Sequence, residues 1–152
     1  MQIVWIADPE SRQQVKQFYR LYMPNAKPNA REHIATLVDG CSSSAIAVSV
    51  NNIIATLRLR PIGENLLLTG MLVRPEKQYQ GFGKQLLTAI TPKLTAKPTY
   101  LFCLPSLVNF YRQQQFEQTE ELHNDIAQLL RRYQQREPQL IAMRYQPDNP
   151  DI

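Results

Sequence analysis

The segment from Leu66 to Leu87 constrains this chain most. An apolar run ending Met71-Leu72-Val73-Arg74-Pro75 passes through Gln78-Tyr79-Gln80-Gly81-Phe82-Gly83-Lys84 into Gln85-Leu86-Leu87. The pattern reads as a strand, a glycine turn and a helix. Two glycines with one residue between them let a main chain come close to a ligand. The amides that open a helix have no partner inside it, so such a turn suits an anion, pyrophosphate above all. By themselves the same residues also fit a plain strand-to-helix turn that binds nothing.

A chain of 152 residues with 43% hydrophobic content can bury one core without disulfides or a structural metal. A single domain is expected over residues 1–146, with 147–152, rich in proline and aspartate, as a frayed tail. Cys41 and Cys103 lie far apart and show neither a Cys-x-x-Cys nor a Cys/His ligand spacing, so no metal site and no disulfide framework is indicated. That usage suits a reducing compartment, and the first residues, Met1 to Asp8, lack the basic and apolar regions of a signal peptide. No run reaches the roughly 20 apolar residues of a membrane span. The expected location is the cytoplasm. A net charge of +4, spread among glutamines, is too weak and unpatterned for a nucleic-acid face, and serves solubility and the attraction of an anionic cofactor.

Gln2 to Ile6 alternates as a first strand. Asp8-Pro9-Glu10 supplies a helix start: an acidic cap, a proline in the first turn and a carboxylate at the positive end of the dipole. Val15, Phe18, Tyr19 and Tyr22 share one helical face, and Met23 to Asn29, with two prolines, ends the helix. Arg31 to Val38 reads as a second short helix with Ile34, Leu37 and Val38 inward. Ser44 to Val50 and Ile53 to Arg60 read as strands joined by Asn51-Asn52, a pair able to take the positive φ of a tight hairpin.

Leu66 to Val73, apolar on both faces, is expected to be a central strand. Gly83 to Leu94 follows as one helix facing the sheet through Leu86, Leu87, Ile90 and Leu94. Tyr100 to Leu104 is a short strand that a strand-helix-strand unit of this length places parallel to its predecessor. A helix from Pro105 to about Gln115, a brief strand Phe116 to Thr119, a helix over Leu122 to Arg136 and a closing strand Leu140 to Tyr145 complete the chain. The expected fold class is α/β (α+β): a mixed, mostly antiparallel central sheet with one parallel strand pair and flanking helices.

A P-loop wants Gly, four residues, then Gly-Lys-Ser/Thr, and the dinucleotide fingerprint wants three glycines, so Gly81-Phe82-Gly83-Lys84 supplies neither. It resembles instead the acetyl-CoA signature of the GCN5-related N-acetyltransferase (GNAT) superfamily: Gln/Arg, two residues, Gly, any residue, Gly/Ala. Gln78, Gly81 and Gly83 match all three fixed places. A second segment, Phe110-Tyr111-Arg112-Gln113-Gln114-Gln115-Phe116, resembles that superfamily's Phe-Tyr-x-x-x-Gly-Phe. It departs at Gln115, where the usual glycine ends a helix in the left-handed conformation that glutamine takes less readily. The resemblance covers Ile46 to Phe116 well, and the flanks by the order of their elements.

The resemblance implies an acyl-CoA N-acyltransferase-like fold and a direct transfer, in which an amine attacks the thioester of acetyl-CoA and the CoA thiolate leaves, with no acetyl-enzyme. The parallel strands ending at Val73 and Cys103 would splay, with pantetheine bonded to the main chain around Leu72 and Val73, where an amide could also stabilise the oxyanion. Amides of Gln78, Tyr79, Gln80, Gly81, Phe82, Gly83 and Lys84 would hold the pyrophosphate, Lys84 adding a charge.

Tyr111 is the implied general acid, since a phenol of pKa near 10 can protonate a thiolate of pKa about 8.5 to 9. The plainer account is a half-buried helix tyrosine. Relatives place a basic glutamate on the central strand, yet Leu66-Leu67-Leu68-Thr69-Gly70 has no carboxylate. Glu64, Glu32 and His33 are the substitutes within reach of the acceptor side, each equally an ordinary surface residue. Cys103 either lines the thioester pocket or is an inert buried thiol.

The acceptor, a small-molecule or peptide amine, is not specified by these residues. The helix over Leu122 to Arg136 either shapes the acceptor mouth, makes a homodimer contact or simply packs. Against the enzyme stands a catalytically weak acyl-CoA-binding sensor or interaction module. A nucleotide-binding regulator fits the glycine spacing poorly.

Overall fold

A computed structural model of the chain describes residues 1–29, 31–40 and 47–147. Its strands are β1 (Gln2–Trp5), β2 (His33–Val38), β3 (Ile53–Ile62), β4 (Asn65–Val73), β5 (Thr99–Cys103), β6 (Phe116–Gln118) and β7 (Ile141–Tyr145). The helices are α1 (Pro9–Tyr22), α2 (Phe82–Ala89), α3 (Thr91–Ala96), α4 (Val108–Gln113) and α5 (Asn124–Gln134). The seven strands form one sheet in the order β1-β2-β3-β4-β5-β7-β6. The β4–β5 pair is parallel, while β1–β2, β2–β3, β5–β7 and β6–β7 are antiparallel. This is the expected mixed, mostly antiparallel sheet with β4 in a central place. Among the described residues no helix is long and apolar enough to cross a membrane.

The chain forms two compact units, Met1–Arg60 with Thr69–Ile90, and Pro61–Leu68 with the chain from Thr91 onward. In the first, α1 starts as its sequence dictates. Asp8 accepts the Ser11 N–H at 2.9 Å, and Pro9 opens the helix. That hydrogen bond holds the Asp8 carboxyl below its usual range. The face carrying Val15, Phe18 and Tyr19 packs with Ile6, Ile34, Val38, Ile53 and Leu72, and burying each such large apolar side chain stabilises the fold by roughly 1.5–3 kcal/mol.

The helix expected over Arg31 to Val38 is instead β2. Its inward set, Ile34, Leu37 and Val38, is buried as expected, but Ala35 and Thr36 are buried too. A strand flanked by β1 and β3 and covered on both faces loses its alternation, and a short apolar run then carries no period that separates strand from helix. The β-branched residues Ile34, Thr36 and Val38 suit the pleated surface. β2 is therefore an antiparallel partner of β3. Residues 44–46 lie outside the described residues, and 47–50 form no strand. There Ser49 and Asn52 close a turn, the Asn52 N–H donating to the Ser49 carbonyl at 2.9 Å. Neither asparagine takes the positive φ expected of it.

The single helix expected over Gly83 to Leu94 is two, α2 and α3, parted at Ile90. Pro92 is the reason, because its ring clashes with the carbonyl four residues back and it has no N–H to give. All four expected inward residues, Leu86, Leu87, Ile90 and Leu94, are buried.

In the second unit, Leu66, Leu67 and Leu68 run parallel to Thr99, Tyr100 and Leu101. Leu67, Tyr100, Ile126 and Leu129 form the core beneath α5. Pro105–Leu107 is a 3-10 turn leading into the short α4. β7 ends the described sequence but lies inside the sheet, leaving β6 at the edge.

Candidate functional site

The glycine turn is anchored where β4 ends. Arg74 turns back toward α1: its amide donates to the Ile54 carbonyl at 2.7 Å, and its Nε donates to the Ile53 carbonyl at 2.7 Å. Its Nη1 and Nη2 donate to the Tyr22 hydroxyl and the Val50 carbonyl. The guanidinium carbon stands 5.3 Å from the Phe18 ring centroid and 5.8 Å from that of Tyr22, within cation–π range. The last residues before the turn are thus held by several independent bonds.

Pro75–Lys77 makes a 3-10 turn. Gln78 then folds back, its Nε2 donating to the Val73 carbonyl at 3.0 Å, and Gln80 does the same to the Glu76 carbonyl at 3.2 Å. Gln78 therefore ties the turn to the strand with its side chain. Tyr79 has φ 65° and a fully exposed ring. A left-handed non-glycine residue costs about 1–2 kcal/mol, which the surrounding turn must overcome.

Gly81 caps α2 at φ 87° and ψ 7° with no side-chain bond to the helix. A Cβ placed on it would meet nothing within 4 Å, so glycine is demanded here by the backbone angle alone and the space beside it is open. The Gln85 N–H is bonded to the Gly81 carbonyl at 3.0 Å. The amides of Phe82, Gly83 and Lys84 come before that rung and have no carbonyl of the helix to bond. Gly83 is buried and Lys84 exposed. A groove of about 460 Å³ runs beside Gly81, Lys84, Gln85, Thr88 and Ala89. Open amides, a positive helix end and a lysine together can hold an anion.

Leu72 and Val73, the strand residues expected to meet pantetheine, lie with this turn in the first unit, Leu72 buried in its core and Val73 half-buried. Tyr111 belongs to the second unit. It is buried, with edge-on ring contacts to Phe110 at 5.0 Å and Phe116 at 5.9 Å between centroids. Burial pushes its phenol above the ordinary range, and the Cys103 thiol adds to that. Cys103 is buried as well, its Sγ donating to Met143 Sδ at 3.7 Å, and burial raises its thiol. Those surroundings fit the inert thiol rather than a reactive one.

Gln115 keeps the geometry its type disfavours: φ is 72°, and its carbonyl accepts the Gln146 N–H at 2.8 Å. The helix end that glycine usually makes is present here without glycine. Gln115→Gly should relieve this strain and stabilise the fold by about 0.5–1 kcal/mol. Thermal melts check it, and a lowered melting temperature would mean that the glutamine side chain holds more than its backbone loses.

The three substitutes for a base stand in different local settings. His33 is exposed at the first position of β2, and Glu64 is exposed in the turn between β3 and β4. Glu32 is no surface residue. It is 3% exposed and salt-bridged to Arg58 at 2.9 Å, so its carboxylate is committed. Among the described residues no group of His, Cys, Asp and Glu is placed to hold a metal ion.

A model of the acetyltransferase (GNAT) family matches residues 6–116. No curated protein matches the sequence. Solved structures share the fold at low identity. ElaA of Escherichia coli aligns with a TM-score of 0.64 at 15% identity, over 95% of this chain and 100% of its own. An aminoglycoside 6'-N-acetyltransferase in complex with coenzyme A aligns at 0.62 and 13% identity, over 98% and 99%. GCN5 of Tetrahymena aligns at 0.64 and 8% identity, over 98% and 99%.

Proposed function

The chain belongs to the GNAT acetyltransferase family, and from that premise we propose that it binds acetyl-CoA at the Gln78–Lys84 turn and transfers the acetyl group to an amine. One observation carries the reading: beside Gly81 the backbone is left-handed and open, just ahead of three helix amides outside the ladder. The diphosphate of the cofactor suits those amides, with Lys84 at its edge, and pantetheine suits the main chain of Leu72 and Val73. The acceptor nitrogen attacks the thioester carbon, the C–S bond breaks, and the CoA sulfur leaves as a thiolate that takes up a proton. A backbone amide at the strand end would stabilise the oxyanion between those steps. Tyr111 is the proposed donor toward the sulfur, and the acceptor is a small-molecule or peptide amine. The compartment that goes with this reading is the cytoplasm, whose reducing poise keeps a thiol such as Cys103 free.

Calorimetry with CoA tests the turn directly. The wild-type chain should bind, and Gly81→Val should weaken binding about tenfold or more, because a β-branched residue resists φ 87° by at least ~1–2 kcal/mol. Absence of any heat at millimolar CoA would overturn the reading. The commitment of Glu32 to Arg58 favours one second reading, a binding module without turnover. Release of free thiol from acetyl-CoA across a panel of amines separates the two: binding without release supports the module.

A further inference from the structure

β4 kinks where its neighbours leave no room for a side chain. Gly70, within that strand, has φ 64°, a conformation that glycine alone takes without strain. A Cβ on it would lie 2.7 Å from Arg58 Nε and 2.9 Å from the Tyr19 hydroxyl. Tyr19 donates that hydroxyl to the Gly70 carbonyl at 2.6 Å. The kinked peptide is therefore held by its oxygen and pressed on its bare face by a guanidinium.

Behind Tyr19 stands a wired cluster, all of it in the first unit. The Arg58 guanidinium carbon lies 5.3 Å from the Tyr19 ring centroid, and its Nη1 donates to both Glu32 oxygens at 2.9 and 3.1 Å. Glu32 Oε1 also accepts the Asn29 N–H at 2.9 Å. Arg12 on α1 donates to the carbonyls of Asn29 and Glu32 at 3.2 and 3.1 Å.

As a packing solution this is a poor one. A buried ion pair gains little over two well-packed apolar side chains and is often the weaker choice. Here Arg58 Nε also has no hydrogen-bond partner, an unmet demand in so buried a place. What apolar side chains could not do is fix the conformation of one peptide. Two residues beyond that peptide begin Leu72 and Val73.

We infer that Tyr19, backed by Arg58 and Glu32, is a positioning residue: it holds the Gly70 kink and thereby aims the main chain of Leu72 and Val73 at the pantetheine amides of coenzyme A. This rests on the acetyl-CoA reading above. The burial of Tyr19 raises its phenol pKa, so the hydroxyl remains a donor throughout the neutral range.

The experiment compares CoA with ADP, which offers the diphosphate without pantetheine, by calorimetry on wild type, Tyr19→Phe and the paired swap Arg58→Met with Glu32→Leu. Both variants should bind CoA about tenfold more weakly and ADP as wild type does, with exchange of the Leu72 and Val73 amides accelerated. Melting temperatures should stay near wild type, which a merely structural role would not combine with a selective loss. Unchanged CoA affinity in Tyr19→Phe overturns the inference, as does an equal loss for CoA and ADP, while the cofactor reading survives both. A wild-type chain that binds neither ligand removes that reading and this inference together. If the paired swap does not fold, Tyr19→Phe, which deletes one oxygen, decides the matter.

Discussion

Glu32→Leu alone should cost the fold about 3–5 kcal/mol, seen as a fall of roughly 2 M in the urea midpoint. The change leaves Arg58, with a side chain only 8% exposed, as a buried charge without its counterion. It also strips the Asn29 N–H of its acceptor. Combining it with Arg58→Met should recover most of the loss, because the cost of the single change is the uncompensated charge rather than the worth of the pair. A single-variant loss below about 1 kcal/mol would match an exposed ion pair and would contradict the burial described for Glu32.

Tyr111→Phe should lower turnover by about 10²-fold, the low end of what a positioned proton donor contributes, with CoA affinity unchanged. The burial that raises this phenol also alters what it can do. An ordinary phenol pKa near 10 suits full transfer of the proton to the thiolate. With its pKa above that, Tyr111 is a poorer acid, so in the proposed mechanism its part would be a hydrogen bond from the neutral phenol to the leaving sulfur. Its rate should accordingly show no loss from phenol ionisation up to pH 10. Steady-state kinetics with a saturating amine measure both points, and turnover equal to wild type would take Tyr111 out of the mechanism.

The strand, turn and helix around Gly81 were legible because each depends on a few adjacent residues. Left-handed φ asks for glycine, a helix opens on unbonded amides, and leucines in helical spacing face inward. Asp8-Pro9 marked the start of α1 for the same local reason. β2 was not legible. Ile34, Leu37 and Val38 sit inward in a helix or in a strand covered on both faces, and only the pairing with β1 and β3 chooses. Gly70, standing alone in a strand pattern, was the available sign of a close approach; no local spacing says that Arg58 and Tyr19 make it. By residue type, Gln115 disfavours the turn before Phe116. Its backbone nonetheless takes φ 72°, a strain of about 1 kcal/mol that a packed fold can absorb.

The amino-acid order by itself determined the glycine turn, the family to which the chain belongs and the alternation of strands and helices around β4, since these follow from sterics and spacing over a few residues. Only the tertiary structure decided that residues 33–38 are a strand, that Glu32 is a buried counterion and that Tyr19 grips the central strand. Each of those outcomes is set by partners distant in sequence, whose burial and hydrogen bonds exist only once the chain has folded.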